Sequence, residues 1–406
     1  MKIIADLHVH SKYARACSSA LSIPNLEKWG KIKGLHLLGT GDFQHPEYRK
    51  HIDEHLTEDE NGILRTKSGF PLIWQTEISL MYAQNGRRAV HLVVLSPNSS
   101  VSNKITSYLA SKGRVDYDGR PIFGIPCPQF VKDLKAISND IEIFPAHCMT
   151  PWFGLFGSKS GFDSLEECFQ DQVKHIYAVE SGMSADPPML WRFKELSKGK
   201  VNDVSFSDAH SFWPWRIGRE ATIFNIPELT YKNIINSIRT GQGLKTIETQ
   251  PAYGRYHWDG HRKCNFSCSP EQTKKLNGIC PKCGNPLTIG VDFRVNEIAV
   301  HPQNFLPESP KDFYELLPLH ELIGLAFSTS LNSKKSWDIY NDLIEKFNNE
   351  FNILLEVSKE DLAKKDVNEK LIEIILLNRK NKLKIKPGYD GEYGIVQLPQ
   401  KQATLF

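Results

Sequence analysis

No apolar run in the 406-residue sequence approaches the ~20 residues that span a bilayer. The chain opens on a strand-like Ile3-Ile4-Ala5 rather than on a charged, apolar leader. A cytoplasmic protein without a membrane partner is therefore expected. Net charge is also small, +3 with a pI near 8.3, so bulk electrostatics neither demands nor excludes a nucleic-acid partner. Cysteine is scarce: of eight residues, Cys17, Cys127, Cys148 and Cys168 are scattered and the other four cluster in mid-chain. That pattern argues against the disulfide framework of a secreted domain and fits a reducing compartment with one metal site. The length suits two or three domains with real cores.

What is present begins at residue 6. Asp6-Leu7-His8-Val9-His10 alternates, so Asp6, His8 and His10 share one side of a strand end. Two imidazoles fixed one strand period apart are a common start to a zinc or manganese site, and Asp6 is placed to fix a ring tautomer. Taken alone, the motif reads equally as a strand end with satisfied surface histidines.

Its recurrence changes the weight. Leu35 to Thr40 leads to Gly41-Asp42 and His45, and Pro71 to Thr76 leads to Glu77. Ala89 to Leu95 returns after Gln84-Asn85-Gly86, so a hairpin brings His91 back toward Glu77. Ile141 to Ala146 ends at His147, Ile176 to Val179 at Glu180, and Val204 to Ser207 at Asp208-Ala209-His210. In barrels of alternating strands and helices the C-terminal strand ends share one face, and reactive groups collect there.

The series Asp6 to His10, Gly41-Asp42, Glu77, His91, His147 and Ser207 to His210 resembles the motifs of the PHP (polymerase and histidinol phosphatase) superfamily of metal-dependent phosphoesterases. Pro145-Ala146-His147, the run Thr150 to Phe162, Glu180-Ser181-Gly182-Met183, Gly388-Tyr389-Asp390-Gly391 and the mid-chain cysteines narrow the likeness. Together they resemble the endonuclease Q family, DNA repair nucleases that incise 5′ to deaminated bases, over nearly the whole chain. The resemblance implies an α/β fold: a distorted seven-stranded (β/α) PHP barrel, a small four-cysteine zinc module and a C-terminal helical domain. It implies one metal held by His8, His10, Glu77 and Asp208, and a second held by Glu77, His91 and His147 with Glu77 bridging. Catalytic roles fall on Glu77, Asp208 and His210. At a third site the chain departs from the superfamily. Phe43 stands where many members have histidine, and Lys12 and Arg15 offer no ligand, which leaves His210 with Asp42 or His45. The implied active-site ions are zinc, two or three of them, with manganese or magnesium as substitutes.

In chain order, residues 1–250 carry the barrel pattern. Ser99 to Lys112 and Pro128 to Ile137 read as helices around Asp116-Tyr117-Asp118-Gly119, a surface excursion. Loops after His147 and Asp208 place Trp152, Phe153, Lys159, Arg216 and Arg219 on the metal face. There they offer stacking for an unpaired base and contacts to phosphate; packing of loops onto the barrel rim accounts for the aromatics as well.

Residues 251–295 hold Cys264-x3-Cys268, eleven residues, then Cys280-x2-Cys283-Gly284, a four-thiolate structural zinc pattern, with His257 and His261 upstream as possible replacements. Residues 296–386 turn helical, at Phe313 to Phe327, Ser336 to Phe351 and Val367 to Leu377. A row at Lys380, Lys382, Lys384 and Lys386 suits a phosphate backbone or a protected edge strand. In residues 387–406 a glycine-punctuated turn presents Tyr389 and Tyr393, which the family likeness turns toward DNA, and the ending Gln402-Ala403-Thr404-Leu405-Phe406 resembles the peptide with which bacterial proteins dock on the sliding clamp. That ending points to a bacterial rather than an archaeal source and to a nucleoid-associated protein.

The expected activity is metal-assisted hydrolysis of DNA, 5′ to uracil, hypoxanthine, xanthine or an abasic site, leaving 3′-hydroxyl and 5′-phosphate ends. A small-molecule phosphatase is the alternative, but it has little use for a zinc module, a lysine row or a clamp peptide. A clamp-associated DNA-binding module with a dead barrel is the other.

Overall fold

The computed structural model describes residues 1–397, and Gln402, Leu405 and Phe406 of the clamp-like peptide lie outside them. The strand Lys2–Asp6 is buried from Ile3 onward. It is flanked by the antiparallel Ala221–Asn225 and the parallel Leu37–Gly39. From Leu37–Gly39 the sheet passes in parallel to Pro71–Ala83, which folds back onto Arg87–Ser96. Asn85 and Gly86 take φ of 51° and 117° at that reversal, conformations the two residue types tolerate and tight hairpins require. The register sets Ser79 opposite His91 and Glu77 opposite Val93. Glu142–Pro145 pairs with Arg87–Ser96 on its other side.

The ladders do not draw the expected closed ring of seven. They trace an eleven-stranded sheet, with Ala178–Glu180 and Asn202–Val204 as a separate parallel pair. The strands that lead to His147, Glu180 and Asp208 are only three or four residues long. Beyond two of them His147 and Asp208 turn to φ of 31° and 47°, which ends regular pairing. Side chains and a single bridge complete the connection: Thr222 Oγ1 bonds both Ser205 N and Ser205 O, at 3.0 and 2.9 Å, and Val9 bridges to Ala209.

Local chemistry explains the helices around this sheet. Ser99–Lys112 forms as expected, with Asn98 Oδ1 accepting from Val101 N at 2.9 Å, and Cys127–Ile137 carries proline in its first turn. The helix expected from Phe313 begins instead at Leu319, after Pro318. Phe313–Glu315 is a strand running parallel to Leu244–Glu248. The helix expected to reach Phe351 stops at Phe347, with Asn348 at φ 73°. In Glu369–Arg379, Leu371, Ile374 and Ile375 are buried as core.

One apolar cluster fills the space between the strands, including Ile3, Leu37, Val93, Phe144 and Phe206. A larger one runs from Leu26 and Trp74 to Leu343 and Leu371 in the C-terminal helices. Across that second cluster, buried Lys33 donates to Glu350 Oε1 at 2.7 Å and to Pro214 O at 2.8 Å. No described helix is long and apolar enough to cross a membrane.

Candidate metal centre

Several strands and the turns beyond them deliver polar side chains to one place; Glu77, expected at a strand end, and His91 lie instead inside Pro71–Ala83 and Arg87–Ser96. His8, His10, Glu77 and Asp208 have ligand atoms within 4.8 Å of one another, as do Glu77, His91 and His147. Glu77 belongs to both groups. Its Oε1 lies 2.8 Å from His91 Nδ1 and 3.2 Å from His147 Nε2, and its Oε2 lies 3.2 Å from His10 Nε2. His10 Nε2 is also 3.0 Å from Asp208 Oδ1. His8 Nε2 is fully buried without a hydrogen-bond partner, 3.6 Å from both Glu77 Oε1 and Asp208 Oδ1. An unpartnered imidazole nitrogen between two carboxylates, with further imidazoles alongside, is a donor set that fits a borderline divalent cation such as zinc or manganese.

The far sides of the rings are held as metal ligands require. Glu180 meets His8 Nδ1 at 3.0 and 2.9 Å and accepts from His147 N at 2.7 Å. Asp42 meets His10 Nδ1 at 3.1 Å and accepts from Ser11 N at 2.6 Å. Asp42 therefore orients a histidine and belongs to neither ligand group. Asp6, expected to fix a tautomer, touches no histidine; it accepts from Ser207 N at 3.0 Å and Gly218 N at 2.9 Å. Burial, partly offset by those bonds, pushes its pKa up to about 6. His210 Nδ1 turns to the backbone O of Asp208 at 2.9 Å, and His45 stacks on Tyr13. Among the described residues no third group uses Asp42, His45 or His210.

Charge is distributed to suit cation binding. Burial opposes ionisation of Glu77, but His91, Arg120 and His8 outweigh it and hold its pKa well below the carboxylate range. At Asp208 burial is likewise outweighed, by His210, His10 and His8. Burial lowers His91 to about 4 against the pull of Glu77, so its ring is neutral and free to ligate at pH 7.

The two groups open onto a cavity of about 480 Å³ whose walls include Trp152, Phe153, Arg216, Arg219, Tyr256 and Tyr393. Trp152 is 41% exposed and meets Tyr256 edge-on at 5.5 Å. Phe153 stacks on the His91 ring at 4.3 Å and accepts from His91 N at 2.9 Å, so it packs behind a cage histidine. Arg219 Nε donates to Ser207 O at 3.1 Å, and the Arg216 guanidinium sits 5.3 Å from the Tyr393 ring. Neither arginine has a carboxylate within salt-bridge distance among the described residues. Lys159, Lys382 and Lys384 are exposed and line no part of the cavity. Tyr389 packs on the cysteine module, its hydroxyl 2.9 Å from Asn265 Oδ1.

That module differs from the expected four-thiolate set. The metal-capable group is His261, Cys264, Cys280 and Cys283, with His261 Nδ1 3.2 Å from Cys283 Sγ. Cys268 stands outside it. It is buried, with Sγ 3.2 Å from Thr273 Oγ1. The hairpin register pairs Cys268 with Asp259 and His261 with Phe266. Cys268 is thus displaced by two residues, roughly 6–7 Å, along the ribbon.

Residues 318–382 match the MJ0043 C-terminal domain family. The uncharacterized protein MJ0043 of Methanocaldococcus jannaschii is 34% identical over 268 residues, 63% of this chain and 32% of that protein. The chain thus spans about a third of the length of that relative. The crystal structure of the lesion-specific endonuclease PfuEndoQ from Pyrococcus furiosus superposes with a TM-score of 0.88 at 28% identity, covering 100% of this chain and 98% of that one. Over its whole length the chain resembles endonuclease Q. An endonuclease Q complex with a 27-mer duplex carrying an abasic lesion at the active site also superposes at 0.88, with 28% identity and 98% and 97% coverage.

Two residues near the cage escape sequence reasoning. Glu180 is visible as a strand-end carboxylate, but its double role on His8 and His147 is not. Arg120, whose Nη1 lies 3.0 Å from Glu77 Oε2, follows the turn read as a surface excursion.

Proposed function

We propose that the protein is a metal-dependent DNA repair endonuclease that hydrolyses the phosphodiester 5′ to a deaminated base (uracil, hypoxanthine or xanthine) or an abasic site. The observation that carries this reading is Glu77, common to two adjoining imidazole–carboxylate groups on the floor of an open cavity with two carboxylate-free guanidiniums in its wall. In support, the chain superposes end to end on a lesion-specific endonuclease.

His8, His10, Glu77 and Asp208 would hold one cation, and Glu77, His91 and His147 a second. Divalent zinc, or manganese or magnesium in its place, would supply Lewis acidity and a water acidic enough to act as nucleophile near neutral pH. Glu180 and Asp42 keep the ring nitrogens aimed. Arg216 and Arg219 bind phosphate, and exposed Trp152 stacks on a base turned out of the helix, a contact worth ~1–3 kcal/mol in single-strand binders. Lys382 and Lys384 track the backbone further out. His261, Cys264, Cys280 and Cys283 hold a structural zinc with no open position. The Gln402, Leu405 and Phe406 peptide docks on a sliding clamp; this rests on the sequence alone.

The test is incubation of a labelled duplex bearing one deoxyuridine, hypoxanthine or abasic site with zinc or manganese, mapping both new ends. Incision 5′ to the lesion with 3′-hydroxyl and 5′-phosphate ends is expected. Equal cutting of undamaged duplex would end the repair assignment, and turnover of a simple phosphomonoester without nicking would favour a phosphatase.

A further inference from the structure

Arg120 lies against the shared carboxylate and has no role in the account above. Its side chain is 21% exposed. Nη1 donates to Glu77 Oε2 at 3.0 Å, and Nε and Nη2 have no protein partner among the described residues. The backbone that carries it is tightly held. Asp118 Oδ1 accepts from Arg120 N at 3.0 Å and from Arg15 N at 3.1 Å. Gly119 N donates to Tyr13 O at 3.0 Å, and Gly119 O accepts from Gln44 Nε2 at 2.6 Å. A Cβ on Gly119 would come within 2.8 Å of Ala14 N and would run into the Asp42 carboxylate. Only glycine lets the turn press against the group that orients His10. The turn thus delivers one guanidinium to the cage with most of its donors open.

A guanidinium has five N–H donors in a rigid fork matched to phosphate oxygens. One is used on Glu77, whose other neighbours, His8, His10, His91 and His147, already surround it. We propose that Arg120 is a catalytic residue: it grips a non-bridging oxygen of the phosphodiester at the cage while its other edge holds Glu77 in place. The proposal rests on the phosphodiesterase reading of the site. As the water oxygen bonds to phosphorus, the bond from phosphorus to the 3′ oxygen breaks, and a proton from the water replaces phosphorus on that oxygen. Arg120 gains and loses no proton; it neutralises charge that builds on the equatorial oxygens.

The experiment compares the zinc-loaded full chain with Arg120→Gln and Arg120→Lys, reading zinc per chain, affinity for inorganic phosphate by titration calorimetry, and kcat and KM on the deoxyuridine duplex. Unchanged zinc is expected in both variants. Phosphate affinity should fall at least about tenfold, and kcat by about 10²–10³-fold, as when one transition-state donor is removed. Lysine should not rescue, because an ammonium cannot serve Glu77 and phosphate in one plane. Phosphate binding within threefold of the parent in Arg120→Gln overturns the proposal, as does full rescue by lysine. Loss of zinc from both variants also overturns it, by reducing Arg120 to a prop for Glu77. If the parent binds phosphate through Arg120 but nicks no DNA, the nuclease reading fails and the phosphate assignment stands.

Discussion

Exchange of His261 for Cys268 as the fourth ligand of the cysteine module can be tested by removing each in turn. His261 Nδ1 is 3.2 Å from Cys283 Sγ. Cys268 Sγ is 3.2 Å from Thr273 Oγ1 in a buried pocket. Thiol acidity does not sort the sulfurs in the same way, because Cys264, within the group, is pushed up to about 11 by its contact with Cys283 and by burial. Burial raises the Cys268 pKa, whereas backbone N–H donors, led by Asn285, lower that of Cys283. Cys280 is lowered too, the N–H of Lys282 overcoming burial. Thiolate is the ligand form, and Cys268 is set apart by its position rather than by its acidity. Structural zinc is worth ~10–16 kcal/mol in small modules. One of four ligands therefore carries roughly 2.5–4 kcal/mol, or about 10²–10³-fold in affinity. His261→Ala should lose zinc to a chelator at concentrations some two to three decades lower than the parent requires. Cys268→Ala should keep its zinc and lose about 1 kcal/mol of stability through the Thr273 contact. The assay is chelator competition followed by a zinc-responsive dye, beside thermal unfolding of each variant. Zinc retained in His261→Ala and shed by Cys268→Ala would refute the geometry.

Three further outcomes are expected. Glu77→Gln removes the charge common to both cage groups, so mass spectrometry should find the cage metals lost, the module zinc kept, and incision abolished. Lys33→Met leaves Glu350 buried without its cation while Leu319 N and Tyr340 still lean on it; urea unfolding should show a loss of ~3–5 kcal/mol, and a change under 1 kcal/mol would contradict that packing. Glu220 is buried in the cavity wall, and burial raises its pKa from 4.5 to about 8. The folded state then binds more protons than the unfolded state between those values. Its stability should therefore fall as pH rises from 4.5 toward 8, by roughly 1.4 kcal/mol per unit while the group titrates. Glu220→Gln should flatten that slope, and parallel curves for parent and variant would argue against the shift.

Short-range chemistry was legible in the chain. The His8 and His10 pair, the Asn85-Gly86 reversal that returns His91 to Glu77, and the apolar strands stopping at Asp208 and His147 all follow from period-two alternation and turn preference. Helices with caps or prolines at their starts were legible for the same reason, and Phe313–Glu315 was not, because a parallel partner at Leu244–Glu248 decided its state.

What the sequence determined by itself is the inventory of ligating side chains and the strands that carry or precede them, since both depend on neighbours within a few residues. Tertiary structure alone decided which carboxylate stands behind which ring, that Asp6 serves Ser207 and Gly218 while Glu180 serves His8, that His261 rather than Cys268 stands beside Cys264, Cys280 and Cys283, and that Arg120 reaches Glu77. Those choices are made by the meeting of segments as much as 212 residues apart, where strand register and the packing of turns, rather than local propensity, fix distances to a few ångströms.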